Sequence, residues 1–342
     1  MRFIFSTVLT FCFSLSASFS TLLSLSYSSV AYSTSQTDSS NWTIYPSNLQ
    51  QFDYSGNKLQ QNWPQLAAAT NLPWPDAALI QDLMTRFPQL SQRLTSLAKQ
   101  DNAHPALKST QSGDYQPLAS AIQQVWRLHF QGQFEEAYKL ALSLEPAGIP
   151  PALYTKLIYI TLLVTDPEEK ERLLLEVDAT IKSILPLAKK HNFILFADAY
   201  QKTRRLEIMS TTAASSSGLI GSTQESLRLL NKTDPGNPIY NAMLAGIDAG
   251  IIERVGNFVG SMTYGTDEDA SLALFTNALK SHPTLAVLHN EFAQFLLRLD
   301  DSDYDNLLLQ TLKACDELTV LSAEEALNQL ACRSNLQKLG QK

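Results

Sequence analysis

Residues 267–299 read DEDASLALFTNALKSHPTLAVLHNEFAQFLLRL, and this stretch decides the fold. Ser271, Phe275 and Ala278 recur at helical intervals, which puts them on one face of a helix over Asp267–His282. Pro283 ends that helix, because proline has no amide donor and its ring clashes with the preceding turn. Helical spacing resumes at Leu285 and runs to Leu299, with Phe292 and Ala293 as a large and small packing pair. Two helices that each carry one apolar face must bury it against each other and against a further neighbour.

The same pattern extends through the chain after Pro75. It predicts helices over Asp114–Gln131 and Gln133–Glu145, Pro151–Thr165 and Pro167–Lys190, and Asn192–Ser210 and Ser222–Leu230. Further helices follow over Pro238–Met262 and Asp267–His282, then Leu285–Leu299 and Asp303–Leu318, and Ala323–Leu339 closes the stack. Breaks fall at Pro, Gly and Asp clusters, and no alternating strand pattern intervenes. The expected class is all-α, arranged as a right-handed α-solenoid of antiparallel helix pairs.

Gly132-Gln133-Phe134-Glu135-Glu136-Ala137 resembles the turn and second-helix start of a tetratricopeptide repeat. Ser271, Phe275, Ala278 and Pro283 match the small, aromatic, small and proline positions of that family's second helix. Phe292 and Ala293 match the next first helix, and Tyr304 and Ala314 continue the pattern. Pro167–Lys190 and Pro238–Met262 exceed a standard repeat helix, so the resemblance covers about half of the body. A second segment, Gly256 to Gly265 (GNFVGSMTYG), is similar to the T component of TRAP-type solute transporters. That likeness implies assembly with a solute-binding protein.

Ahead of the repeats, Arg2 precedes an apolar run from Phe3 to Leu15, and a serine-rich stretch leads to Ser29-Val30-Ala31. This order reads as a signal peptide over 1–31 and predicts an exported chain, periplasmic or secreted, with no stable membrane span after cleavage. Residues 32–74 are polar but carry Trp42, Tyr45, Phe52, Tyr54, Trp63 and Trp74. They read as an arm, either loosely ordered or lying as a strap on the helical domain of 75–342. Cleavage removes Cys12 and leaves Cys315 and Cys332. A tight hairpin near Val320 would offset these two by about 10 Å, which favours two buried thiols over a bridge.

The chain holds 26 basic and 33 acidic residues, a net charge of -7, which gives no electrostatic footprint for nucleic acid. Phosphate-binding loops, nucleophile elbows and metal-protease motifs are missing, and the five histidines are scattered. The expectation is therefore a protein that is not an enzyme, with no cofactor and no metal. Asp301, Asp303 and Asp305 imitate the start of a calcium loop, but Asn306 and Leu312 stand where its glycine and closing glutamate belong.

The candidate binding residues lie on two helices. On Pro238–Met262, Ile247, Ile251, Ile252, Val255, Phe258, Val259 and Met262 share an apolar arc with Asp248 near its centre. A carboxylate there is either a partner or cation site or a structural group bonded to a neighbouring helix end. Gly246, Gly250, Gly256 and Gly260 lie on the other side with Glu253, Asn257 and Tyr264, and imply close approach of a backbone or ligand. On Asn192–Ser210, Arg204 and Arg205 can face a concave groove and hold a partner's carboxylate, or serve a solvated face. Together these features predict an exported, non-catalytic binding or scaffolding protein whose partner is a protein or peptide. A transporter accessory role and an enzyme of unrecognised type are the alternatives.

Overall fold

The computed structural model describes residues 42–341, so the predicted signal peptide lies outside the described residues. Among them every regular element is helical, and no strand occurs. The chain is all-α. The N-terminal part holds α1 (Lys58–Leu66), α2 (Ala77–Arg86), α3 (Pro88–Ala98) and α4 (Pro105–Lys108). There follow α5 (Gln116–Phe130), α6 (Phe134–Ser143), α7 (Ile149–Leu162), α8 (Pro167–Ile184), α9 (Asn192–Ile208), α10 (Thr211–Ser216) and α11 (Leu219–Thr233). The C-terminal part holds α12 (Pro238–Val255), α13 (Asn257–Tyr264), α14 (Glu268–Ser281), α15 (Ala286–Leu299), α16 (Asp305–Asp316) and α17 (Ala323–Leu339).

Local chemistry fixes the starts of these helices. Asp76, Asp166, Ser210, Asn237, Asp267 and Ser322 each accept a backbone amide of the first turn that they precede, satisfying a donor the helix leaves free. Gly132, at φ +84, makes the turn from α5 to α6. A side chain there would also meet the Tyr45 ring at 2.7 Å, so glycine is required twice over.

From α5 to α9 and from α14 to α17 each helix packs on the next, α11 packs on α9 and α12, α12 packs on α13, α14 and α15, and α17 also touches α5 and α7. The last helix thus returns to α5 and α7. α7 and α12 bury most of their circumference, whereas α6, α8, α14 and α16 each bury a single stripe. Phe134, Ala137, Ser271, Phe275, Ala278, Phe292 and Ala293 are all buried. Ala314 is exposed instead, and its neighbour Cys315 is fully buried, so α16 is turned one residue from the expected register.

Trp42 to Pro75 lies on this body as a strap. The Trp42 ring sits 4.1 Å from that of Tyr159 and 4.5 Å from the Lys156 ammonium, a cation–π contact. Tyr54 donates its hydroxyl to the Leu321 carbonyl, and its own carbonyl accepts from Arg127 at 2.7 Å. Trp63 stands edge-on to Trp126, with centroids 5.7 Å apart.

Two expectations need correction. The predicted helix Pro238–Met262 is broken at Gly256, whose φ of +79 and ψ of 158 lie outside the helical region and admit only glycine comfortably. Cys315 and Cys332 form a disulfide, with Cα atoms 6.2 Å apart. The hairpin estimate failed because 317–322 is not a tight turn. Extended chain of that length reaches about 20 Å, enough to start α17 beyond the end of α16 and bring its middle level with Cys315.

Non-reducing peptide mapping is expected to recover Cys315 and Cys332 in one linked pair. Reduction should lower stability by about 3 kcal/mol, in keeping with a sequence separation of 17. Recovery of two free thiol peptides would refute the bond.

Candidate functional site

The break at Gly256 creates an exposed corner between α12 and α14. Because the chain changes direction there, α13 does not continue the apolar arc of α12. Phe258 is 76% exposed, Met262 75% and Val259 45%, three large apolar side chains on one short helix. The expected arc therefore divides: Ile247, Ile251 and Ile252 are buried, and its C-terminal members point to solvent. Gly265, at φ +70, ends α13, and Asp267 starts α14 by capping Ala270. Gly260 lets the helix lie close to the following loop, since a side chain there would stand 2.7 Å from Thr266 Oγ1. The other glycines do not mark close approach: Gly246 and Gly256 have open space around them, and Gly250 meets only the tip of Arg298.

Three of the sequence-predicted residues border this corner. Glu253 and Asn257 are exposed, and Tyr264 is half-buried against the core. Asn257 Nδ2 donates to Glu268 Oε2 at 3.0 Å, while Tyr304 donates its hydroxyl to Glu268 Oε1 at 2.8 Å. Glu268 thereby ties α13 to α14 and to the start of α16. Asp267 and Asp269 are exposed beside it, so the apolar face has an acidic border.

Asp248 lies behind the corner on α12. Its carboxylate accepts from Ser271 Oγ at 3.0 Å and from Gln224 Nε2 at 3.3 Å, joining α12 to α14 and α11. Burial raises its pKa, and these donors oppose the rise without cancelling it. The polar partners of Asp248 within the chain favour its role as a tie between helices.

Arg204 and Arg205 lie apart from the corner. The carboxylates that meet Arg204 are the chain's own: Nη1 donates to Glu207 Oε1 at 2.9 Å and Nη2 reaches Glu291 on α15. Its guanidinium also lies 4.9 Å from the Tyr200 ring centroid. Arg298 of α15 completes the group, 3.0 Å from Glu207. Burial alone would push the Glu207 carboxyl up, but the guanidiniums of Arg204 and Arg298 outweigh it and hold it below its usual range. Arg205 faces Glu171 at 3.6 Å. An internal ion cluster between α9 and α15 thus occupies the place expected for a partner's carboxylate.

Sequence reasoning missed Glu291, Arg298 and Arg254, whose guanidinium donates to the Leu206 carbonyl at 2.7 Å near the end of α9. The only signal for the first two was their spacing on one face of α15. It also missed His129, which is fully buried between Thr155 and Glu324 rather than at a cap or surface. Asp301 Oδ1 accepts from the Asp303 amide at 2.9 Å, as a turn cap. Among the described residues no cluster of three His, Cys, Asp or Glu side chains is arranged to hold a metal ion. Comparison of the chain with protein-family models, with curated proteins and with solved structures found no match.

The raised pKa of Asp248 fixes a sign. A carboxyl held above its unfolded value of 3.8 binds a proton in the folded state that the unfolded chain has already lost, so its contribution declines as pH rises through that interval. The stability of the parent relative to Asp248→Asn is therefore expected to fall between pH 3.5 and pH 7. Denaturant titrations at the two pH values check it, and a relative stability that rises with pH would refute the assignment.

Proposed function

We propose that this chain is an exported, non-catalytic helical-repeat protein that binds another protein through the exposed face of α13. The supporting frame is a right-handed α-solenoid of antiparallel pairs, wound until α17 meets α5 and α7. The observation that carries the reading is the exposure of Phe258 and Met262 on an ordered helix whose position is fixed by Gly256, Asn257 and Glu268. Large apolar side chains gathered on one surface lose free energy only when a partner covers them. Glu253, Asp267 and Asp269 border the patch, so the complementary surface is an apolar hollow edged by Lys or Arg. Asp248 acts as a positioning residue by holding α14 against α12.

A second reading is favoured by the same segment. Residues 256–265, which resemble the TRAP T component, form α13 and its flanking glycines. In that reading the partner is a solute-binding protein, and the patch is where it docks.

The double variant Phe258→Asp/Met262→Asp should keep its helical circular dichroism and its melting temperature within a few degrees, because both side chains are already in water. Its recovery of partner in a pull-down from the native envelope should fall at least tenfold, the effect of about 1.4 kcal/mol. Leu229→Asp, which alters an exposed leucine elsewhere, serves as control and should retain the partner. Undiminished recovery by the double variant would exclude α13 as the docking face.

A further inference from the structure

A cavity of about 310 Å³ opens between the N-terminal helices and the main helical array, away from α13. Its walls come from distant stretches of chain. Trp63 of α1, Ile80 and Leu83 of α2, Trp126 of α5, Phe193 of α9 and Tyr240 of α12 all contribute. A partly open, mainly apolar space of this volume has the size of a small-molecule site.

Its polar lining is concentrated in few groups and carries an excess of positive charge. Arg86, Lys190 and His191 all border the cavity. Among the described residues the only acidic side chain in the lining, Asp234, has its carboxylate engaged by Asn71 at 3.2 Å and by Asn237 at 3.3 Å. Arg86 pairs with Asp82 at 2.7 Å on the exposed side of α2, and a guanidinium's five donors leave capacity for a second acceptor. The His191 ring stacks on Phe87 with centroids 5.3 Å apart, and its Nδ1 is buried without a hydrogen-bond partner. Burial, reinforced by Arg86, pushes the imidazole down to about 4, so it is neutral near pH 7. A buried nitrogen left without a partner is costly, and a group entering from the cavity supplies one.

From the volume, the apolar walls and these groups we infer that the cavity binds a small amphiphile consisting of one hydrocarbon body and one carboxylate. The hydrocarbon fills the space between Trp63, Trp126 and Leu83. The carboxylate lies at the Arg86 end, accepting from the guanidinium and from His191 in the tautomer that protonates Nδ1. Lys190 adds long-range attraction at the mouth. This site is independent of α13, and neither proposal depends on the other.

The test uses the full chain without its signal segment and three probes of equal chain length below their micellar concentrations: dodecanoate, dodecanol and dodecyltrimethylammonium. Trp63 and Trp126 in the walls make intrinsic fluorescence the readout, with isothermal calorimetry as the second measure. Dodecanoate should shift the emission saturably, and at least tenfold more tightly than either other probe. Arg86→Gln, on an exposed helical surface, should weaken dodecanoate at least tenfold while leaving dodecanol unchanged. Ala147→Phe, which fills the cavity from a partly exposed wall position, should abolish binding of all three. Leu83→Trp is the second filling variant should Ala147→Phe unfold, and circular dichroism identifies that case. Absence of saturable dodecanoate binding, or equal binding by both filled variants, would overturn the site. Equal affinity for the three headgroups, or indifference to Arg86→Gln, would overturn the carboxylate.

Discussion

The carboxylate of Glu324 is the contact on which the arrangement of this chain depends. It lies on α17, the last helix, yet it accepts the Tyr154 hydroxyl of α7 at 2.8 Å and sits 3.3 Å from His129 Nε2 of α5. His129 Nδ1 in turn meets Thr155 Oγ1 at 3.1 Å. Burial and the neighbouring Glu324 charge push the Tyr154 hydroxyl well above its ordinary range, which keeps it a donor. A buried carboxylate lacking these partners would carry a large desolvation penalty, so the group is stable only when all three helices are in place. The strap covers the same seam: Tyr54 and Gln50 donate to the Leu321 and Val320 carbonyls, just ahead of α17.

Because the array returns on itself, its inner helices meet one another instead of lining an open trough. Polar side chains that converge there find partners within the chain. Asn290 pairs with Asn328 at 3.0 Å, and Arg204, Glu207, Glu291 and Arg298 neutralise one another. Such a buried ion cluster adds little net stability, but removal of any member would strand an opposite charge, so it enforces one register between α9 and α15. Surfaces that remain available for binding lie at the periphery, where the fold is interrupted. α13 projects at a glycine break, and the apolar cavity lies where the N-terminal helices meet the array.

Helix positions were legible because the apolar spacing that defines them is local: Phe134, Ala137, Phe275 and Ala278 announce their faces within a single turn or two. Two inferences about how one element meets the next failed. Gly256 sits in an apolar run that keeps helical spacing on both sides, so the periodicity carries no trace of the break, and only the backbone dihedral reveals it. Cys315 and Cys332 looked mismatched because the length of a loop does not say how far it runs past the helix end. Glu253, Asn257 and Tyr264 were singled out because glycines and polar residues clustered near them. Phe258 and Met262 were counted in one apolar arc with Ile247 and Ile251 for the same reason that they now stand out, namely their apolarity. His129 and Glu324 are separated by 195 residues, and the cavity draws its walls from residues 63 to 240, so neither has a local sequence signature.

Closure of the array is tested most directly by amide hydrogen exchange on the full chain. In an open stack each unit contacts only its neighbours, and the terminal helix opens at a fraction of the global free energy. With α17 locked to α5 and α7 through Glu324, its central amides should exchange as slowly as those of α7 and α12. In Glu324→Ala that protection should fall for α17 and for the strap around Tyr54, ahead of the remaining helices. Rapid exchange along α17 in the unaltered protein, with α7 and α12 still protected, would contradict closure.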